Sequence, residues 1–244
     1  MDETPLPAQL PRDATRSLAV FVAGVAPGKE AETWLEALRA HGVLLFSHAD
    51  LEDCVSTQAT RRNLGALCLE VLERAPRLPL LVLEAPLAPS RHALTALTDL
   101  AHRAPGVAAY TTFTNAEPAL NPFAGLDTGH TNREQRERLV TLLGEGQLRP
   151  IERWPEHLLL LTADAVEALA DPTLSWAQAP GRLRSRLGEA ELADWIWVED
   201  PSQPVNLDED LEPNELRRPR PFGAVVERLH AWLGTGQQVP TLLM

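Results

Sequence analysis

LPLLVLE, residues Leu78 to Glu84, sets an uninterrupted apolar run behind a proline and closes it with an acid. A strand with one wet face alternates apolar and polar residues. A run with no polar break belongs to a strand covered on both faces. HLLLLTAD, His157 to Asp164, has the same character. Leu18–Val22, Val43–Phe46, Val107–Phe113 and Trp195–Val198 read as further buried strands. Between them lie stretches with helical spacing. Residues 29–41 carry Ala31, Trp34, Leu35 and Leu38, and residues 58–75 carry Leu64, Leu67, Cys68, Val71, Leu72 and Ala75. Residues 90–104 and 133–143 follow the same rule, and 222–233 closes the series with Phe222, Val225, Val226, Leu229 and Trp232. Short apolar strands alternating with amphipathic helices predict an α/β fold. The expectation is a doubly wound, mainly parallel sheet of about five to six strands with helices on both faces, a Rossmann-like three-layer sandwich.

The bulk composition agrees. Of the 244 residues 44% are hydrophobic, enough for a sizeable core in one domain. Residues 1–16 read as a flexible tail and 17–244 as a single α/β domain. Two stretches interrupt the alternation. Residues 114–132 are rich in Asn, Thr, Pro and Gly and read as a polar, functional loop. Residues 199–221 are acidic and proline-rich and read as a solvated connection.

Charge and cysteine content exclude several classes. The formal net charge of −12 argues against a surface that grips a nucleic-acid backbone, since such binding uses Lys and Arg to neutralise phosphates. The short basic group Arg217, Arg218 and Arg220 is the best exception and follows an acidic run. Cys54 and Cys68 are too few for a disulfide framework or a zinc site. No apolar stretch has the length of a membrane span, so the expectation is a soluble, cytoplasmic protein without a membrane partner. G-x-S-x-G, H-E-x-x-H and G-x-G-x-x-G are missing from the sequence, which argues against common hydrolases, zincins and Rossmann dehydrogenases.

In open parallel sheets ligands bind beyond the carboxyl ends of the strands. The residues there are Gly24–Lys29, then Ser47, His48 and Asp50, then Glu84, then Thr112, Thr114 and Asn115. Thr162 and Asp164 follow the fifth strand, and Glu199 and Asp200 the sixth. Asp127, His130 and Asn132 lie in the polar loop, where such residues serve acid–base chemistry or simply form turns and caps. AGVAPGKE, Ala23 to Glu30, contains the only lysine of the chain, Lys29. A glycine-bearing turn between a strand and a helix offers backbone N–H groups to an anion, and a lysine can reach terminal phosphates.

In three places the chain resembles a P-loop NTPase: AGVAPGKE, LPLLVLE, and VAAYTTFTN, which is similar to the sensor strand of AAA-type members. The resemblance covers about residues 18–115. It implies that Lys29 contacts phosphate, that Glu84 sits near the metal or water, and that Asn115 senses the terminal phosphate. The motifs depart from the family pattern. Glu30 stands where a magnesium-binding hydroxyl belongs, Ala23 replaces the first glycine, and Leu83 replaces the usual Asp. The order of elements is also similar to TIR-type nucleotide-processing domains, which implies a catalytic Glu on the Cys-bearing helix, here Glu70 or Glu73. The family's Cys-x-x-Glu spacing is not kept, because Val71 follows Cys68 by three.

The functional expectation is therefore a regulatory domain, non-catalytic or slow, that binds a nucleotide or phosphate at the carboxyl edge of the sheet. Its ligand-binding residues would be Gly24, Gly28, Lys29, Asp50 and Thr112, with Glu84, Asn115 and Glu70 as catalytic candidates and no resident metal. Two alternatives stay open: a protein-interaction module that has lost its site and recruits a partner through 199–221, and a TIR-like hydrolase of NAD or another nucleotide.

Overall fold

The structure is a computed structural model. It describes residues 18–24, 35–36, 38–40, 43–46, 57–84, 86–103, 107–123, 131–144, 146–151, 153–203 and 205. The strands are β1 (Ala19–Ala23), β2 (Leu44–Phe46), β3 (Leu80–Glu84), β4 (Ala109–Thr114), β5 (Leu148–Pro150), β6 (Leu158–Leu161) and β7 (Ala190–Val198). The helices are α1 (Thr57–Arg62), α2 (Leu64–Arg74), α3 (Arg91–Arg103), α4 (Arg133–Leu143), α5 (Ala163–Leu169) and α6 (Ala179–Arg184). Residues 35–36 and 38–40 are also helical. The expected helix over 222–233 lies outside the described residues, as do Gly28, Lys29, Ser47, His48, Asp50, Asp127 and His130. Among the described residues no helix is long and apolar enough to cross a membrane.

The strands form one seven-stranded sheet in the order β2-β1-β3-β6-β4-β7-β5. β1 pairs in parallel with β2 and β3, and β4 in parallel with β7. β6 runs antiparallel to both β3 and β4, and β5 antiparallel to β7. The fold is thus α/β, but the sheet is mixed and has more strands than expected. β5 and β6 run in the same direction, opposite to β4 and β7. β5 ends beside Glu191, near the start of β7, and β6 begins beside Leu83, near the end of β3, so their connection returns the chain to the carboxyl edge. A strand entered from that edge runs antiparallel to β3 and β4. Ile151 and Trp154 of the connection pack on the core.

Strand alternation divides the core between two faces. Ala19, Phe21 and Ala23 of β1, with Leu80 and Val82 of β3, pack against Leu64, Leu67, Cys68 and Val71 of α2 and against α5 and α6. Val20 and Val22, with Leu81 and Leu83, pack against Leu38 and against Ala93, Leu94, Leu97 and Leu100 of α3. These strands are buried on both sides, as their unbroken apolar runs require. A smaller cluster joins Phe113, Phe123, Leu192 and Trp197 to Leu139 and Val140 of α4, with Phe123 and Trp197 edge to face at 5.1 Å.

The two interrupting stretches are sewn together in the residues described. Asn115 Nδ2 donates to the carbonyls of Asp200 and Gln203 at 2.8 and 3.1 Å, and Asn115 Oδ1 accepts from the Asp200 N–H at 2.7 Å. Asn121 Nδ2 donates to the Val205 carbonyl at 2.9 Å. Glu199 and Asp200 are buried, so the acidic stretch begins inside the fold, not in solvent. Arg136 of α4 grips Glu199 through two bonds of 3.0 and 2.7 Å, and Trp197 Nε1 donates to the same carboxylate at 3.0 Å.

Candidate functional site

The parallel set β1, β3, β4 and β7 ends on one edge, and the antiparallel β6 begins there. Gly24 follows β1 in the left-handed region, at φ 73°, which glycine adopts without steric cost. Its neighbour in the sheet is the end of β3, where Ala23 is in register with Glu84. The antiparallel entry of β6 then delivers His157 to the same place. The Glu84 N–H donates to the His157 carbonyl at 2.9 Å, and His157 Nδ1 donates to Glu84 Oε2 at 2.6 Å.

A third side chain comes from above. α1 and α2 are broken at Asn63, whose φ of −114° and ψ of 29° leave the helix. The break turns Arg61 toward the sheet edge. Its Nη2 lies 3.4 Å from Glu84 Oε2 and donates to the Glu156 carbonyl at 3.1 Å, while Nη1 lies 3.7 Å from Glu156 Oε2. The Trp176 N–H donates to the Arg61 carbonyl at 2.6 Å, and Trp176 Nε1 donates to the Pro155 carbonyl at 3.0 Å. These bonds fix α1 against the segment that carries His157. Glu117 completes the cluster from the loop after β4. Its Oε2 accepts from the Glu156 N–H at 3.1 Å.

The electrostatics are uneven. The hydrogen bond to Glu84 holds the His157 imidazole above its usual range, against the opposing effect of burial, and the Glu84 and Glu117 charges add to the rise while Arg61 lowers it. Burial pushes the Glu117 carboxyl up, offset in part by the Glu156 N–H and the His157 charge. The side chains of Glu84, His157 and Arg61 are 24%, 27% and 33% exposed, so the cluster sits at the surface of the edge and not in the core. A carboxylate that fixes an imidazole through Nδ1 leaves the ring oriented, with Nε2 as its second proton-bearing position. Such a pair can orient a ligand or move a proton. Among the described residues no group of three or more His, Cys, Asp and Glu is placed to hold a metal.

The other sequence candidates are dispersed. Thr112 is fully buried within β4, and its hydroxyl donates to the Phe113 carbonyl at 3.2 Å. Asn115 reaches the edge, but its amide is occupied by Asp200 and Gln203. Glu70 lies on α2 and pairs with Arg74, one turn away. Cys68 beside it is fully buried, and desolvation pushes its thiol up. Thr162 and Asp164 stand at the opposite edge, because β6 runs the other way. There Thr162 caps α5 by accepting from the Ala165 N–H. The residue that belongs to the carboxyl edge is the one before the leucine run, His157. Its polar flank on LLLL is the signal that could have found it. Arg61 carries no comparable signal.

No protein-family model and no curated protein matches the sequence. Among solved structures, the crystal structure of a mycobacterial protein is similar over 94% of this chain and 77% of that one, at 14% identity and a TM-score of 0.40.

Proposed function

We propose that this chain is a regulatory domain that binds a phosphate-bearing ligand of the nucleotide class at the carboxyl edge of the sheet, beside Gly24 and Glu84. The observation that carries the reading is the seating of Arg61 at that edge, with a partly exposed guanidinium between Glu84 and Glu156. A planar guanidinium presents several N–H donors in a fork that suits phosphate oxygens. Gly24 follows β1 in the left-handed region, and in the sequence a second cation, Lys29, comes six residues after the end of β1. Glu30, in place of a metal-binding hydroxyl, fits retention of a ligand better than rapid turnover.

Titration calorimetry with ATP, GTP and NAD tests this on the wild type, Lys29→Ala and Arg61→Ala. Loss of a charged hydrogen bond of about 1.5–3 kcal/mol weakens binding roughly tenfold or more in each variant. The reading fails if no nucleotide binds, or if both variants bind as the wild type does.

A further inference from the structure

A phosphate-bearing ligand held by Arg61 at this edge leaves the Glu84–His157 pair without a task. A structural task is already filled. β3 and β6 are held by their own ladder, and the Glu84 N–H donates to the His157 carbonyl at 2.9 Å, so the side-chain pair is not needed for register. The pair is also placed where core bonding is not. Both side chains are about a quarter exposed, next to the strand end that carries Gly24. The bond of 2.6 Å from Nδ1 to Oε2 fixes the ring, and Glu117 and Arg61 flank it from the loop after β4 and from α1.

We propose that His157 is the proton-transfer group of a slow hydrolytic site at this edge, acting on the terminal phosphoanhydride of the bound nucleotide, with Glu84 as its positioning residue. The proposal rests on the binding reading and goes beyond it. In the step, the oxygen of a water forms a bond to the terminal phosphorus while one of its protons passes to neutral Nε2 of His157. The bond from that phosphorus to the bridging oxygen breaks, and its electron pair stays with the departing nucleoside diphosphate. The imidazolium then returns its proton to solvent. Nothing is oxidised or reduced.

The charged groups facing the ring are Glu84 from β3, Arg61 from α1, Glu117 from the loop after β4, and Glu156 on its own segment. Glu84 raises the basicity of the ring most. The rate therefore climbs as pH rises through the imidazole's range, and Glu84→Gln moves that limb to lower pH.

The experiment measures inorganic phosphate released from ATP and GTP by the full chain, with calorimetric binding in parallel. His157→Gln is expected to cut release by about 10²–10⁴-fold, far more than it weakens binding. Binding without release, or release by His157→Gln at the wild-type rate, overturns this inference and leaves the binding reading standing. Absence of binding overturns both. If His157→Gln does not fold, the pH profile of Glu84→Gln decides, and an unmoved limb overturns the proposal.

Discussion

At the scale of single residues, Asn115 shows how a motif can be filled by structure. Similarity to a sensor strand implied a contact with phosphate. The amide instead makes three bonds to the turn after β7, and it is fully buried. Asn115→Ala leaves the buried Asp200 N–H without its acceptor, while the Asp200 carbonyl keeps the Gln203 N–H, and an orphaned buried group costs about 1–3 kcal/mol. The expected result is a clear fall in the urea midpoint, with nucleotide affinity unchanged. A loss of affinity at unaltered stability would restore the sensor role. Glu117 provides a second test, with a definite sign. Burial raises its carboxyl pKa, so the folded chain holds this proton more tightly than the unfolded chain. The stabilisation is complete below the unfolded pKa and is lost as pH rises through the folded one. Glu117→Gln keeps an acceptor for the Glu156 N–H and removes the buried charge. The variant should exceed the wild type in stability near neutrality, and the gain should vanish in acid. Equal urea midpoints at both conditions would contradict this.

Among the elements, the contact of α2 with α5 and the turn after it is the tightest constraint. The Gly65 N–H donates to the Leu174 carbonyl at 3.0 Å, and a Cβ on Gly65 would lie 1.8 Å from the Asp171 carbonyl oxygen. That neighbour is backbone and cannot swing aside. Gly65→Ala should cost about 1–3 kcal/mol by overpacking, read as a lower denaturation midpoint. It should also disturb the edge site, because Arg61 hangs from the helix just before the break. The same scale explains what the sequence could and could not disclose. LPLLVLE and HLLLLTAD announced buried strands, and β3 and β6 are buried through their leucine runs. Periodicity carries no direction, however. β6 is entered from the carboxyl edge and runs antiparallel to β3 and β4, so the expected edge residues, Thr162 and Asp164, gave way to His157. β5 was missed because LRP has no apolar run to mark it. β7 was read from Trp195 onward because Glu191 and Asp194 break its apolar pattern. Asp194 is tolerated at 0% exposure because Arg149 Nε and the Gln147 N–H bind its two oxygens at 2.9 and 3.0 Å. Residues Asp194 to Ile196 also have no partner in β4, since Thr112 pairs with Ala193 and Phe113 with Trp197.

For the whole molecule, the position of β6 has the largest consequence. It is the central strand of seven and bonds to β3 on one side and to β4 on the other. It therefore joins the parallel trio β2-β1-β3 to the β4-β7-β5 group. Without it the described sheet would be two smaller sheets with open edges, each a template for association. The strand that assembles the fold thus also brings His157, the residue just before it, beside Glu84. Amide exchange should reflect this. The Leu158–Leu161 amides and their partners in β3 should open only with global unfolding, whereas the edge strands β2 and β5, of three residues each, should exchange through local opening. Peptide-resolved hydrogen exchange under native conditions measures the order directly. Exchange of β6 as early as β5 would mean that the sheet is not continuous through its centre, and the Glu84–His157 pair would then lack the rigid support that the proposed proton transfer requires. Protection of β6 equal to that of β3 places both halves of the pair on one cooperative unit, so a variant such as Glu84→Gln can be read as a change in chemistry and not in folding.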